Sequence, residues 1–185
     1  MRGGTVSRTQ HHSQSQHAAP GDTACAKRRY PWFVWIAMTR RSRAREVALQ
    51  LLFQRDHNPK IERSGLEQFA RDRLRETPLQ EFCLQLYDGV VTNLEEIDKR
   101  ISAAAENWRL PRMPTVDRNV LRLGAFELLF GTETPANVAF DEAIELGRRF
   151  GTAESAAFIN GVLDRLRREA NPPPTTPPTE PPTTT

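Results

Sequence analysis

"VDRNVLRLGAFELLF", residues 116–130, distributes Val116, Val120, Leu121, Leu123, Ala125, Phe126, Leu128 and Leu129 around most of a helical circumference. A helix that is apolar on nearly every side has to be surrounded by others, so this segment predicts the centre of an all-helical domain. Gly124 falls inside it, where glycine costs about 1 kcal/mol relative to alanine. Close approach of a neighbouring helix is the expected compensation.

The same 3.6-residue period continues outward on both sides. Upstream, about 41–56 carries Ala44, Val47, Ala48, Leu51 and Leu52 and stops before Pro59; about 62–76 carries Leu66, Phe69, Ala70 and Leu74. About 78–91 carries Leu79, Phe82, Cys83, Leu86 and Val90, and about 93–107 carries Leu94, Ile97, Ile101, Ala104 and Ala105, with Trp108 closing it. "RLPRMP", residues 109–114, is a proline-punctuated connection. Downstream, about 136–149 shows Ala139, Phe140, Ala143 and Leu146 and is ended by Gly151; about 153–169 follows a Thr152 cap and shows Ala156, Ile159, Val162, Leu163 and Leu166. Gly147 repeats the expectation of close packing. No segment reads as a strand, and the short connections predict an all-α, compact bundle of about seven helices.

The chain of 185 residues has room for one domain and tails. We expect a disordered leader over 1–38, a folded domain over 39–170 and a disordered Pro/Thr tail over 171–185. Met38 directly precedes the first amphipathic pattern, and we expect it to be the true start. The formal charge of +3 comes from the leader, because residues 39–170 hold 21 Lys and Arg against 21 Asp and Glu. A neutral body can hold a polyanion only through a local patch, and such binding is weak and salt-sensitive.

Catalytic chemistry finds little support. Cys25 and Cys83 offer neither a disulfide framework nor a zinc spacing. His57 is the one histidine of the body and reads as a surface or capping residue. Glu95 with Glu96, and Asp141 with Glu142, read as solvated helix faces, and no phosphate-cradling glycine loop occurs. The expectation is no enzyme, no metal and no cofactor. "PWFVWIAM", residues 31–38, is far shorter than the ~20 residues a spanning helix needs. A cytoplasmic protein without a membrane segment is expected.

Charge is concentrated in "RRSRAREVALQLLF", residues 40–53. An expected first helical turn with Arg41, Arg43 and Arg45 opposes the helix dipole by about 0.3–1 kcal/mol per charge. Arg41 and Arg45 share a face, and a phosphate held by planar guanidinium forks would offset the cost.

"VDRNVLRLGAFELLF", "NVAFDEAIELGRRFG", "AAFINGVLDRL" and the arginine-rich "RRSRAREVALQLLFQRD" together resemble the NusB family of bacterial transcription antitermination factors, over essentially 40–168. The resemblance implies two small helical subdomains and RNA binding without catalysis. It implies pairing with the ribosomal protein NusE, recognition of the boxA element as single-stranded RNA in ribosomal RNA transcripts, and read-through by RNA polymerase in an antitermination complex. By the same resemblance Arg41, Arg43, Arg45, Arg118, Arg122, Phe150, Phe158 and Asn160 are RNA-binding candidates. Phe150 and Phe158 also fit the apolar periods of their helices, so core packing stands beside base stacking.

Phe53, Asp117 and Glu154 are the candidate partner contacts. Phe53 stands where the family more often has Tyr, and Ser42 interrupts a usually unbroken arginine run. Gly124, Phe126, Phe140 and Gly147 depart from the family's more typical residues in ways that bear on packing. Some relatives form homodimers, and both monomer and dimer stay open. Two rival readings are an RNA-binding accessory of an rRNA-modifying enzyme and a helical protein-interaction module.

Overall fold

A computed structural model describes residues 32–105, 108–131 and 133–170, with side chains described from Arg40 to Glu169 within these. The expected Pro/Thr tail and residues 1–31 of the expected leader lie outside these. Among the described residues there are seven α-helices, one 3-10 turn and no strand.

The first helix, α1, runs Trp32–His57 and so begins well before the expected position near 41. Nothing between Trp32 and His57 is a proline or glycine, so no residue stops the helix from extending back through the apolar run. One consequence corrects the sequence reading: Arg40 is the ninth residue of α1, so its arginines lie inside the helix, beyond reach of the first-turn dipole. Then follow α2 (Arg63–Arg73), α3 (Thr77–Thr92, with Pro78 in its first turn), α4 (Leu94–Ala104), the 3-10 turn Leu110–Arg112, α5 (Thr115–Leu129), α6 (Ala136–Phe150) and α7 (Ser155–Ala170). The last begins three residues beyond the expected Thr152 cap. Thr152 instead donates its amide to Ser155 Oγ at 2.8 Å, closing the turn out of α6.

α5 is central as its sequence predicts: it packs against α1, α3, α4, α6 and α7. α1, α2 and α3 pack among themselves on one side, and α5, α6 and α7 form a three-helix group on the other. A Cβ on Gly124 would sit 2.8 Å from Leu163 Cδ1 and 2.9 Å from Ala143 Cβ, so the missing side chain lets α6 and α7 close on α5. Gly147 admits Ile159 in the same way between α6 and α7.

Polar groups also enter this core. Arg45 of α1 is 2 % exposed and donates from both Nε and Nη2 to Glu127 of α5, at 2.9 and 2.7 Å, and to Thr134 Oγ1 at 3.1 Å. At the C-terminal end of α1, Asp56 accepts from Arg118 at 2.9 Å, Asn119 at 3.1 Å and Arg122 at 3.3 Å. Arg122 is further held by Asp98 of α4 through two bonds of 2.8 Å. The middle of α1 therefore meets late α5 and the end of α1 meets early α5, so the two helices run antiparallel, joined by charge at two levels. Between them lies an apolar cluster that includes Val47, Leu51, Leu121 and Leu123. No helix among the described residues is long and apolar enough to cross a membrane.

Candidate nucleic-acid interface

The predicted arginines separate into two environments. Arg41 and Arg43 are about half exposed on α1, and each has a carboxylate partner: Glu133 at 3.5 Å from Arg41, and Glu46 beside Arg43. Arg41 also lies over the Phe82 ring, 4.8 Å from its centroid. Arg40, just outside the predicted set, pairs with Glu76 at 3.0 Å. Glu46 is buried and holds Arg149 of α6 as well as Arg43, so a single carboxylate ties the two helices through two half-exposed guanidinium groups. Ser42 donates to Glu142 at 2.6 Å, which replaces a cation of the expected arginine run by a hydrogen bond to α6.

Arg45 does not join this surface. Its bidentate, buried pair with Glu127 leaves it inside the bundle, although the four-residue spacing from Arg41 predicts that both serve one anion. The spacing misleads because a helix face defined by sequence is turned inward when a partner charge lies opposite in the core. Arg118 and Arg122 are likewise engaged, by Asp56 and Asp98. Their cluster gathers at Asp56, roughly 16 Å along the axis of α1 from Arg45.

Burial acts to raise the Asp56 carboxyl, but hydrogen bonds from Arg118 and Asn119 and the Arg122 charge outweigh it and hold it below its ordinary value. Burial acts against the Arg122 cation too, and Asp98 and Asp56 more than restore it. The Cys83 thiol, free and fully buried, is pushed up to about 12 by burial and is unreactive at neutral pH.

Aromatic side chains divide similarly. Phe150, at the end of α6, is exposed and has the Arg149 guanidinium 5.2 Å from its ring centroid. With Phe53, Leu49, Phe69 and Val116 it borders an open, mostly apolar groove of about 450 Å³ between α1, α2 and α6. Phe53 is exposed, and its ring lies 4.5 Å from that of His57, whose Nδ1 is 2.9 Å from the Phe53 carbonyl oxygen. His57 is thus a surface residue at the helix end, as its sequence context predicts. Phe158 is half-buried on α7 and meets Trp108 at a centroid separation of 5.5 Å.

Asp117, expected at a partner contact, sits in the first turn of α5 and is buried, with Oδ1 lacking a hydrogen-bond partner among the described residues. Glu154 is exposed and accepts from Thr152 Oγ1 at 3.1 Å. Asn160 is exposed and lines, with Asp141, Glu142, Glu145 and Arg148, a groove of about 710 Å³ between α6 and α7.

Sequence reasoning missed Glu46, Asp56, Arg149 and Trp108. The carboxylates are ordinary helix-surface residues until their partners on other elements are known. Trp108 alone carried a signal, being the one large aromatic beside a proline-punctuated connection.

A family model described as the NusB family matches residues 42–168. The chain is 44 % identical over 129 residues to the transcription antitermination protein NusB of Desulfatibacillum aliphaticivorans, covering 70 % of this chain and 90 % of that one. It is 46 % identical over 139 residues to the protein of the same name from Solibacter usitatus, covering 74 % and 94 %. Among solved structures it is similar to T. maritima NusB, with a TM-score of 0.63 and 39 % identity over 71 % of this chain and 93 % of that one. It is also similar to a chain of the complex of antitermination factors NusB and NusE with double-stranded RNA, with a TM-score of 0.65 and 26 % identity over 71 % and 98 %.

Proposed function

The chain belongs to the NusB family, and on that premise we propose that it is a transcription antitermination factor that binds RNA together with a NusE-like ribosomal protein. It works by binding, not by catalysis. Its RNA is a boxA-like single-stranded element of ribosomal RNA transcripts, and the assembled complex carries RNA polymerase through terminators in the cytoplasm.

The observation that carries this reading is the family match over 42–168, which takes in α2 to α6 and most of α1 and α7, together with the likeness to a chain solved with both NusE and RNA. The geometry supports the following residue roles in this reading. Arg41 and Arg43 present half-exposed guanidinium groups on α1 and are the phosphate contacts. Phe150 beside Arg149 offers a ring face to a base, and Phe158 does so together with its aromatic neighbour. Arg45, Arg118 and Arg122 act on RNA indirectly, by fixing α1 against α5. The apolar groove edged by Phe53 suits the ribosomal partner, with Val116 at its wall and Asp117 next along α5; Glu154 lies exposed ahead of α7.

Because the cations of α1 are largely neutralised within the protein, RNA affinity should be low alone and useful only when the partner adds surface and charge. Fluorescence anisotropy of a labelled boxA-like RNA, titrated with and without the ribosomal protein at two salt concentrations, tests this. Tighter, salt-sensitive and sequence-selective binding with the partner is expected. Absence of binding in both conditions would reject the RNA role.

A further inference from the structure

We propose that the connection around the 3-10 turn is another RNA contact, in which Trp108 and Phe158 stack a base while Arg109 and Arg112 hold the adjoining phosphates. This rests on the RNA-binding reading above and extends it to a segment outside the arginine-rich helix.

Trp108 is 53 % exposed, the most exposed large apolar side chain among the described residues. Leaving an indole in water forfeits a large burial gain, so its position calls for a partner that covers it. It is held in place: its amide donates to the Ala105 carbonyl at 2.8 Å, and its ring is set against Phe158, 5.5 Å between centroids and tilted by 55°. Leu110 and Met113 are buried and anchor the connection on either side of the exposed Arg112. The turn is closed by bonds from Arg112 N to Arg109 O at 2.8 Å and from Met113 N to Leu110 O at 3.2 Å. An exposed indole backed by the half-buried Phe158 ring is thus mounted on a hydrogen-bonded turn.

Charge identifies the occupant. Arg109 and Arg112 are both exposed, and among the described residues neither forms an ion pair, whereas Arg40, Arg41, Arg43 and Arg45 all face carboxylates. No Asp or Glu occurs between Trp108 and Val116. Two such guanidinium groups beside an open indole complement a single-stranded nucleic acid, whose bases stack on aromatic faces and whose phosphates seek cations. An acidic or apolar protein segment would satisfy only one of the two features.

The test uses the full chain with Trp32→Phe and Trp35→Phe, which leaves Trp108 as the only indole of the three in the sequence. A boxA-like oligoribonucleotide is titrated in the presence of the ribosomal protein while Trp108 emission and RNA anisotropy are followed together. Emission should fall in step with binding, and Trp108→Ala should weaken binding about ten-fold, with Trp108→Phe in between. Arg109→Ala with Arg112→Ala should make the logarithmic salt dependence shallower by about 1.4, the share of two phosphates on a single strand.

Unchanged binding in both sets of variants, while Arg41→Ala with Arg43→Ala loses affinity, would overturn the additional contact and leave the RNA reading standing. No RNA binding by the parent chain would overturn both. A Trp108 response to the ribosomal protein alone, with Trp108→Ala weakening that complex, would reassign the connection to protein and also overturn the proposal. If Trp108→Ala does not fold, Trp108→Phe and the paired arginine variant decide by the same readouts.

Discussion

The arginine-rich start of the folded domain and the connection 108–114 are opposites. The arginine cluster is conspicuous in sequence, with Arg40, Arg41, Arg43 and Arg45 within six positions, yet every one of those charges meets a carboxylate from within the fold. The connection has the composition of a mere linker, yet it exposes an indole and two cations that no described carboxylate neutralises. The contrast teaches that charge density along a chain and charge available to a ligand are different quantities. The fold decides the latter by what it places opposite each side chain.

The largest effect expected of any change in the arginine-rich helix is structural. Arg45→Ala leaves Glu127 buried without its cation, at a cost of about 3–5 kcal/mol. The thermal midpoint should drop by about 10 °C or more. Calorimetry checks this, and a stable Arg45→Ala protein with impaired RNA binding would return Arg45 to the RNA surface and break the contrast.

Next in size is the charge cluster at the far end of α1. Asp56→Asn should cost about 1–3 kcal/mol at neutral pH by removing the shared acceptor of Arg118, Asn119 and Arg122. Because the folded carboxyl is held below its ordinary value, its contribution is fully present above about pH 4 and is lost as pH falls through the lowered folded value. The stability gap between parent and variant should therefore be constant above about pH 4 and close below it. Urea titrations at several pH values measure it, and a gap that widened on acidification would contradict the assignment.

Smaller again is the effect of Arg41→Ala with Arg43→Ala. RNA affinity should fall about three- to ten-fold and the salt dependence should become shallower, while far-UV circular dichroism stays unchanged. A loss of helical content instead would make these arginines structural like Arg45. The smallest change expected is a gain: Glu133→Gln frees Arg41 of its exposed partner and should tighten RNA by no more than about three-fold, since exposed pairs are worth little. Anisotropy at low salt would detect it, and weaker binding in this variant would show that Glu133 helps aim Arg41.

The helical periods predict seven helices and the central position of the segment at 116–130, because an all-round apolar helix has no other stable place. Gly124 and Gly147 are legible as points of close approach for the same reason: a helix interior tolerates glycine only where a neighbour needs the space. The start of α1 is not legible in this way, since the apolar run before Met38 has no amphipathic period of its own, although it contains no residue that stops a helix. The site is less legible than the fold. Arg45 and Arg43 are both arginines two residues apart in one cluster, and only the position of Glu127 on α5 separates a buried clamp from a half-exposed guanidinium group.

By itself, then, the sequence determined which segments are helices, which of them lies innermost, and to which family the chain is similar, since each depends on local periodicity or on ordered blocks of residues. Only the tertiary structure decided which charges are spent on the protein and which remain for a ligand. An ion pair can join residues far apart in the chain, and whether a cation is neutralised depends on the group that packing brings to its far end.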